Sequence, residues 1–207
     1  MKVTRCSIDT KIGRLELRAS EEALLELCLP RPDAEPEPAP PPPEHPVLRE
    51  ACVQLEQYLA GRRREFSLPL RLEGTPFQLR VWRALADIPF ATTVSYSELA
   101  ARVGSPRASR AVGAANARNP LAIVLPCHRV VGSDGSLTGF GGGLPLKRWL
   151  LDHEARVVSA PAPVPAARAR PAACAPCGGG GPDRTASSAA PRRAAAPPRP
   201  APPAAGR

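Results

Sequence analysis

The chain has 207 residues, 28 of them proline, 43% hydrophobic residues and a formal net charge of +9. That length allows one or two domains with a core, but the proline content excludes uniform globular structure along the whole chain. No apolar run approaches the roughly 20 residues that span a bilayer, and the opening "MKVTRCSIDTKIG" lacks the apolar stretch of a signal peptide.

The charge is unevenly spread: residues 1–74 carry 11 Lys/Arg against 13 Asp/Glu, residues 75–157 carry 10 against 5, and residues 158–207 carry 7 against 1. A basic tail of Pro, Ala, Arg and Gly says little about a partner. Arg102, Arg107, Arg110, Arg118 and Arg129 in the middle stretch say more, because clustered arginine suits a phosphate backbone, although a solvated surface has the same composition. Without a signal peptide the six cysteines are expected in a reducing cytoplasm as free thiols. Cys174 and Cys177 make one isolated CxxC inside "PAACAPCGGGGP", a weak metal or redox signal without a second ligand pair. Cys6, Cys28 and Cys52 sit in apolar surroundings and read as small core residues.

Taken in chain order, "KVTRCSID" and "RLELRAS" alternate in part and read as a hairpin turning at Lys11–Gly13. "ALLELCLP" fits a third strand or a helix. The proline-rich stretch 30–46 is a loop or extended linker. Over residues 47–60, "VLREACVQLEQYLA" places Leu48, Ala51, Cys52, Leu55, Tyr58 and Leu59 on one face, the pattern of a helix that Gly61 ends. "REFSLPLRL" reads as a strand that Pro69 confines to an edge. Thr75-Pro76-Phe77-Gln78 is a capping box with proline at the first helical position, and Phe77, Val81, Trp82 and Leu85 follow on one face. Ser95-Tyr96-Ser97-Glu98 is a second capping box, opening "YSELAARV" and stopping at Gly104. Ser105-Pro106 is read as the start of a further helix, "PRASRAVGAANAR", so that two helices joined by a short glycine turn suggest a helix-turn-helix. Ala108, Ala111, Gly113, Ala114 and Ala115 leave that helix almost bare, and glycine within a helix costs about 1 kcal/mol against alanine. Either a neighbouring helix or a nucleic-acid groove approaches it closely. "LPLKRWLLDHEA" puts Leu146, Trp149, Leu150 and His153 on one face with Glu154 near its end. From about Arg156 onward periodicity stops, and residues 158–207 have the composition of a disordered tail.

"NPLAIVLPCHRVVGSDG", residues 119–135, sets a cysteine directly before a histidine and an arginine. A thiol attacks as its thiolate, and free cysteine has a pKa near 8.5, so a nucleophile here needs a base or a cation and must be ionised to react. His128, Arg129 and a carboxylate brought in by folding are the candidates. The tetrapeptide alone also fits a buried thiol beside a turn-capping histidine.

The stretch "IVLPCHRVVGSDGSLTGFGGGLPLKRWLLDHE" resembles the active-site segment of the O6-alkylguanine-DNA alkyltransferases, whose hallmark is PCHR. The upstream "TPFQLRVWRALADIPFATTVSYSELAARVGSPRASRAVGAANARNP" resembles the DNA-binding half of the same family, and "IGRLELRAS" its first hairpin; the tail has no counterpart. The resemblance implies an α+β protein. A small N-terminal α/β, RNase H-like domain would cover residues 1–70, a mostly helical, winged helix-turn-helix-like domain carrying the cysteine would cover 75–157, and the disordered tail 158–207 would follow. It also implies direct, irreversible repair of O6-alkylguanine, and of O4-alkylthymine, in double-stranded DNA. The flipped-out base would pass its alkyl group to the protein once per molecule. Implied roles follow the matching positions. Cys127 is the nucleophile, His128 its base through a water, and Glu154 the group that orients His128. Tyr96 assists the leaving guanine, and Asn119 ties the helix-turn-helix to the active-site segment. Arg110 holds the place of the extruded nucleotide, with Ala111, Gly113, Ala114, Arg118 and Arg129 along the DNA face. Val130, Ser133, Phe140, Gly141 and Gly142 line the base pocket. No cofactor and no metal are needed, and no activator domain is expected ahead of the core. The partner is damaged duplex DNA and not a membrane, and the protein acts as a monomer in the cytoplasm, on the nucleoid if bacterial. Phe140 and Gly141 stand where some relatives carry tyrosine and serine, and Asn116 where some carry an apolar residue.

Overall fold

A computed structural model describes residues 2–30 and 45–159, all within one compact unit. Residues 31–44 of the proline-rich stretch, the CxxC and the expected tail from residue 160 onward lie outside these residues, whereas Pro46 and Val158–Ser159, expected in the loop and the tail, are helical.

Strands β1 (Val3–Thr10) and β2 (Gly13–Ser20) pair antiparallel with Cys6 opposite Leu17. Their turn depends on Gly13, whose φ of +102° a side chain would resist, and on the Thr10 hydroxyl, which donates to the Gly13 carbonyl at 2.6 Å. Leu15, Leu17 and Ala19 point inward with the period of two that a half-buried strand requires. Residues 24–28, for which strand and helix were both open, form β3 (Leu24–Cys28), antiparallel to β2 across an irregularity at Arg18/Ala19. Helix α1 (Pro46–Leu59) covers the sheet with Leu48, Ala51, Cys52, Leu55, Tyr58 and Leu59, and Gly61 beyond its end takes φ +73°.

The stretch 64–72 is not a strand of the sheet: only Leu70 bridges Leu24. Pro69 has no N–H for a ladder, so its carbonyl accepts from Leu24 N at 2.8 Å while Arg71 N donates to Leu24 O at 3.0 Å. The Gln54 side chain satisfies Ser67 instead, donating to its carbonyl at 3.2 Å and accepting from its N–H at 2.9 Å.

The second half opens with α2 (Pro76–Ala86), whose Thr75/Gln78 capping box forms as the sequence predicts. Strand β4 (Val94–Ser95) leads into α3 (Tyr96–Arg102), capped by Ser95 and Glu98. Helix α4 (Ser109–Ala117) begins later than Pro106. Ser105 N is already used to close α3 on Ala100 O at 2.9 Å, and Ala108 N folds back to Ser105 O at 2.9 Å, so residues 105–108 are a turn. Trp82 fastens α2 to α4 by donating from Nε1 to Ala115 O at 2.9 Å. A wing in the usual sense, a β-hairpin, is absent from the described residues of the second half: β4 pairs in parallel with β5 (Val130–Val131), two residues each. Helix α5 (Gly143–Ser159) extends past Arg156, so Glu154 sits inside it and not near its end. One hydrophobic core runs through both halves, from Leu15 and Leu55 to Val112 and Leu150.

Candidate active site

Residues 121–131 are all buried, the opposite of an ordinary surface loop. Asn119 shapes the entry to this strip: its Nδ2 donates to Leu125 O at 2.8 Å and its Oδ1 accepts from Leu121 N at 3.0 Å. Ile123 takes φ +70°, a left-handed conformation that a β-branched residue adopts only under constraint, at a cost of about 1–3 kcal/mol. The strip then tightens into a 3-10 turn, Cys127–Arg129, presenting three consecutive polar side chains to the interior.

Helix α5 supplies the groups that meet them. Lys147 and Glu154 lie two turns apart on its buried face, both fully buried. The Glu154 carboxylate receives donors from four residues on three segments. Oε1 accepts from Tyr58 Oη of α1 at 2.7 Å, from His128 Nε2 at 2.9 Å and from Arg129 Nη2 at 2.9 Å; Oε2 accepts from Arg129 Nε at 3.0 Å and from Ala91 N at 2.9 Å. Ala91 itself takes φ +58°, and this bond holds it there. Burial works against the carboxylate, but the hydrogen bonds from His128 and Arg129 and the Arg129 charge prevail and hold it well below the usual carboxylate range. Burial lowers the His128 pKa, with Glu154 opposing. The imidazole is therefore neutral with its proton on Nε2, and Nδ1 is a buried lone pair without a protein partner among the described residues.

The Cys127 thiol is 5% exposed. The reactive-thiolate expectation meets a correction here: burial pushes the thiol up, while an Asn119 hydrogen bond, the Lys147 charge and backbone N–H groups pull it partly back. The resting sulfur is thus a thiol, and a base must take its proton as it reacts. Lys147, which the sequence reading passes over, donates from Nζ to Val130 O at 2.6 Å and to Thr138 O at 2.7 Å. It ties the active-site strip to the glycine loop. Tyr58 is likewise missed. Each sits on the apolar face of an amphipathic helix, and a polar group in such a place is the signal that was available.

Two concavities meet at Ala117 and Gly139. The inner one, about 190 Å3, is bounded by Cys127, Asn116, Asn119, Phe140 and Gly141, with Leu27 and Cys28 of β3 at the back. The outer one, about 390 Å3, holds Tyr96, Arg110, Gly113 and Thr138. The Tyr96 hydroxyl donates to Thr138 O at 3.3 Å. Arg110, Ala111, Ala114 and Arg118 are exposed along α4. A Cβ on Gly113 would lie 3.8 Å from the Tyr96 ring, ordinary contact, so packing within the protein does not demand glycine there.

Four expected site residues, Arg129, Ser133, Gly142 and Val130, lie elsewhere. Arg129 is 6% exposed and its guanidinium is taken by Glu154 and the Ile88 carbonyl, so it cannot reach a phosphate from this conformation. Ser133 stands exposed in the turn after β5, outside both concavities. Gly142 does not line the pocket: a Cβ there would come within 2.6 Å of Leu146 and 3.1 Å of Leu29, so it is where the loop presses onto α5. Val130 does not line either concavity: it is fully buried in β5 and its carbonyl is engaged by Lys147. Among the described residues no group of three or more His, Cys, Asp or Glu could hold a metal ion.

A two-half protein that packs a cysteine–histidine–glutamate cluster behind a helix-turn-helix matches one family along most of its length. The ribonuclease-like domain of 6-O-methylguanine DNA methyltransferase matches residues 4–72 and its DNA-binding domain residues 76–156. The methylated-DNA–protein-cysteine methyltransferase of Mycobacterium leprae is 48% identical over 148 residues, 72% of this chain and 90% of that protein. The constitutive enzyme of Bacillus subtilis is 45% identical over 151 residues, 70% of this chain and 92% of that one. The crystal structure of Mycobacterium tuberculosis OGT in complex with DNA superposes with a TM-score of 0.67 at 44% identity, covering 74% of this chain and 93% of that one. The chain belongs to the methylated-DNA–protein-cysteine methyltransferase family.

Proposed function

We propose that the protein repairs alkylated DNA directly, moving the alkyl group of O6-alkylguanine onto Cys127 Sγ once per molecule. O4-alkylthymine is a second substrate. The observation that carries the reading is the inner concavity: it is lined by the Cys127 thiol, next in the chain to the His128 that Glu154 holds, and it shares Ala117 and Gly139 with the outer concavity that bears Arg110 and Tyr96.

The target base leaves the duplex stack at a cost of a few kcal/mol, and Arg110 fills the space left behind. Ala111, Gly113, Ala114 and Arg118 line the α4 surface that lies against the groove. His128, its Nε2–H fixed by Glu154, uses Nδ1 to draw the thiol proton through a water. The S–C bond forms as the C–O6 bond breaks. The electron pair of that bond stays with the purine, and the proton taken from sulfur ends on guanine, assisted by the Tyr96 hydroxyl. Asn119 holds the strip in register. The product is a thioether that water does not cleave, so the protein is consumed. The reaction calls on no cofactor.

The reading divides the chain into an N-terminal ribonuclease H-like domain over residues 1–70, a catalytic domain over 75–157 and a tail over 158–207. It assigns action as a monomer in the cytoplasm, on the nucleoid if the source is bacterial. No described helix is long and apolar enough to cross a membrane.

The deciding experiment is peptide mass spectrometry after incubation with a duplex containing O6-methylguanine. One methyl group on the Cys127 peptide and none elsewhere is the expected result, and Cys127→Ala should bind the duplex without being labelled. A methyl group on Cys6 or Cys174 overturns the assignment, as does more than one equivalent of repaired DNA per protein molecule.

A further inference from the structure

The transfer chemistry is confined to the second half, yet the shortest contact to Glu154 comes from the first. Tyr58 closes the buried face of α1, with its ring among Phe66, Phe90 and His153 at centroid distances of 5.4, 6.2 and 5.6 Å. Its hydroxyl reaches Glu154 Oε1 at 2.7 Å, and both side chains are fully buried. Its carbonyl accepts from His153 Nε2 at 2.8 Å, one residue before Glu154 on α5. The residue is thus held at its hydroxyl and at its backbone carbonyl.

We propose that Tyr58 is a positioning residue for alkyl transfer: its hydroxyl holds the same carboxylate oxygen that His128 uses, and so governs how strongly Glu154 draws a proton onto the imidazole. The proposal rests on His128 acting as the base in the reading above. Tyr58 must be the donor in its bond, because burial and the Glu154 charge push its own ionisation far upward. A carboxylate oxygen that accepts from a phenol has less negative charge to offer an imidazolium. The charged and titratable groups around this pair are Arg129 from the same turn as His128, Lys147 and His153 from α5, and Cys127 beside His128. The Ala91 N–H adds a further neutral donor.

The arrangement gives a signed prediction. Removing the hydroxyl concentrates charge on Oε1, favours protonated His128, and moves the acid limb of the alkylation rate to higher pH. Tyr58→Phe keeps the ring packing and leaves Glu154 with its other donors. The test measures the rate constant for Cys127 alkylation in the full chain between pH 5.5 and 9, with free O6-benzylguanine and with an O6-methylguanine duplex. The midpoint of the acid limb should rise by about half a unit, which is roughly a threefold loss of rate on that limb. The rate above pH 8 should be unchanged or higher, because a stronger base is a better proton acceptor. Site-specific replacement of Tyr58 by 3,5-difluorotyrosine, a stronger donor of nearly the same shape, should shift the limb the other way.

An acid limb that stays in place in both variants overturns the proposal, and so does an equal loss of rate at every pH, which is what loosened packing alone would produce. Should Tyr58→Phe not fold, the difluorotyrosine protein decides the matter by the sign of its shift. Failure of the unaltered protein to alkylate Cys127 would instead refute the transfer reading, a result visible before any variant is made.

Discussion

Replacing Glu154 by glutamine tests how much of the fold depends on one charge. Glutamine matches glutamate in shape, so no cavity forms. Its Nε2 would nevertheless face groups that already donate to the carboxylate: Arg129 Nε at 3.0 Å and Ala91 N at 2.9 Å on one side, or Tyr58 at 2.7 Å and His128 at 2.9 Å on the other. The guanidinium of Arg129, 7% exposed as a side chain, would lose its counter-charge inside the core. Leaving one partner of a buried pair uncompensated costs about 3–5 kcal/mol. Against a total stability of about 5–15 kcal/mol this is a large fraction. At roughly 2–4 °C per kcal/mol for a unit of this size, the melting temperature should fall by about 10 °C. Differential scanning calorimetry of Glu154→Gln beside the unaltered protein measures the shift. The double variant Arg129→Met, Glu154→Gln should recover part of it, because the stranded cation is gone. A fall of less than about 2 °C, or a double variant less stable than the single one by the full cost of Arg129→Met, would refute the idea that this charge pair organises the core.

Three other outcomes are expected. Arg110→Ala should slow repair in duplex DNA at least tenfold while leaving the reaction with free O6-benzylguanine within twofold, measured by gel and mass spectrometry; equal losses on both substrates would remove Arg110 from duplex engagement. Gly113→Ala should raise the melting temperature, since helix propensity favours alanine by about 1 kcal/mol and the added methyl meets Tyr96 at an ordinary 3.8 Å, yet it should weaken binding to duplex by thickening the α4 surface; a more stable protein with unchanged duplex affinity would contradict the close approach of DNA at that point. Stability should fall on acidification, because burial keeps His128 and His153 below the ordinary imidazole value and hydrogen bonds hold Glu154 below the carboxylate range. The unfolded chain therefore binds more protons than the folded one. The stability is complete above about pH 6.5, declines as the pH falls through the imidazole range, and declines again below about pH 4.3 as carboxylates protonate in the unfolded chain. A melting temperature that holds steady or rises from pH 7.5 to pH 5 would contradict these shifts.

Much of this site was legible before any coordinates because its punctuation is local. The Thr75/Gln78 and Ser95/Glu98 boxes are fixed by residues three apart, and both form. The α1 face follows from a spacing that any amphipathic helix shares. What could not be read depends on contacts between distant segments. Nothing near Arg129 says that it turns inward to Glu154 and not outward to a phosphate, and clustered arginine favours the outward reading. Lys147 and Tyr58 look like a snorkelling lysine and a core aromatic until α1, α5 and the glycine loop are placed together. The segment around Pro69 has strand composition, but Gln54, far away along the chain, takes the backbone groups that a ladder would need.

The rear of the inner concavity is made by β3, whose Leu27 N–H is bonded to the Pro120 carbonyl at 2.8 Å. The concavity that Cys127 lines is thereby walled in part by a strand encoded about a hundred residues upstream. Anyone wishing to widen the reagent for bulky labels should carve at Leu27 or Cys28. Trimming the chain to its helical portion would remove that wall and, with it, half of the shared core.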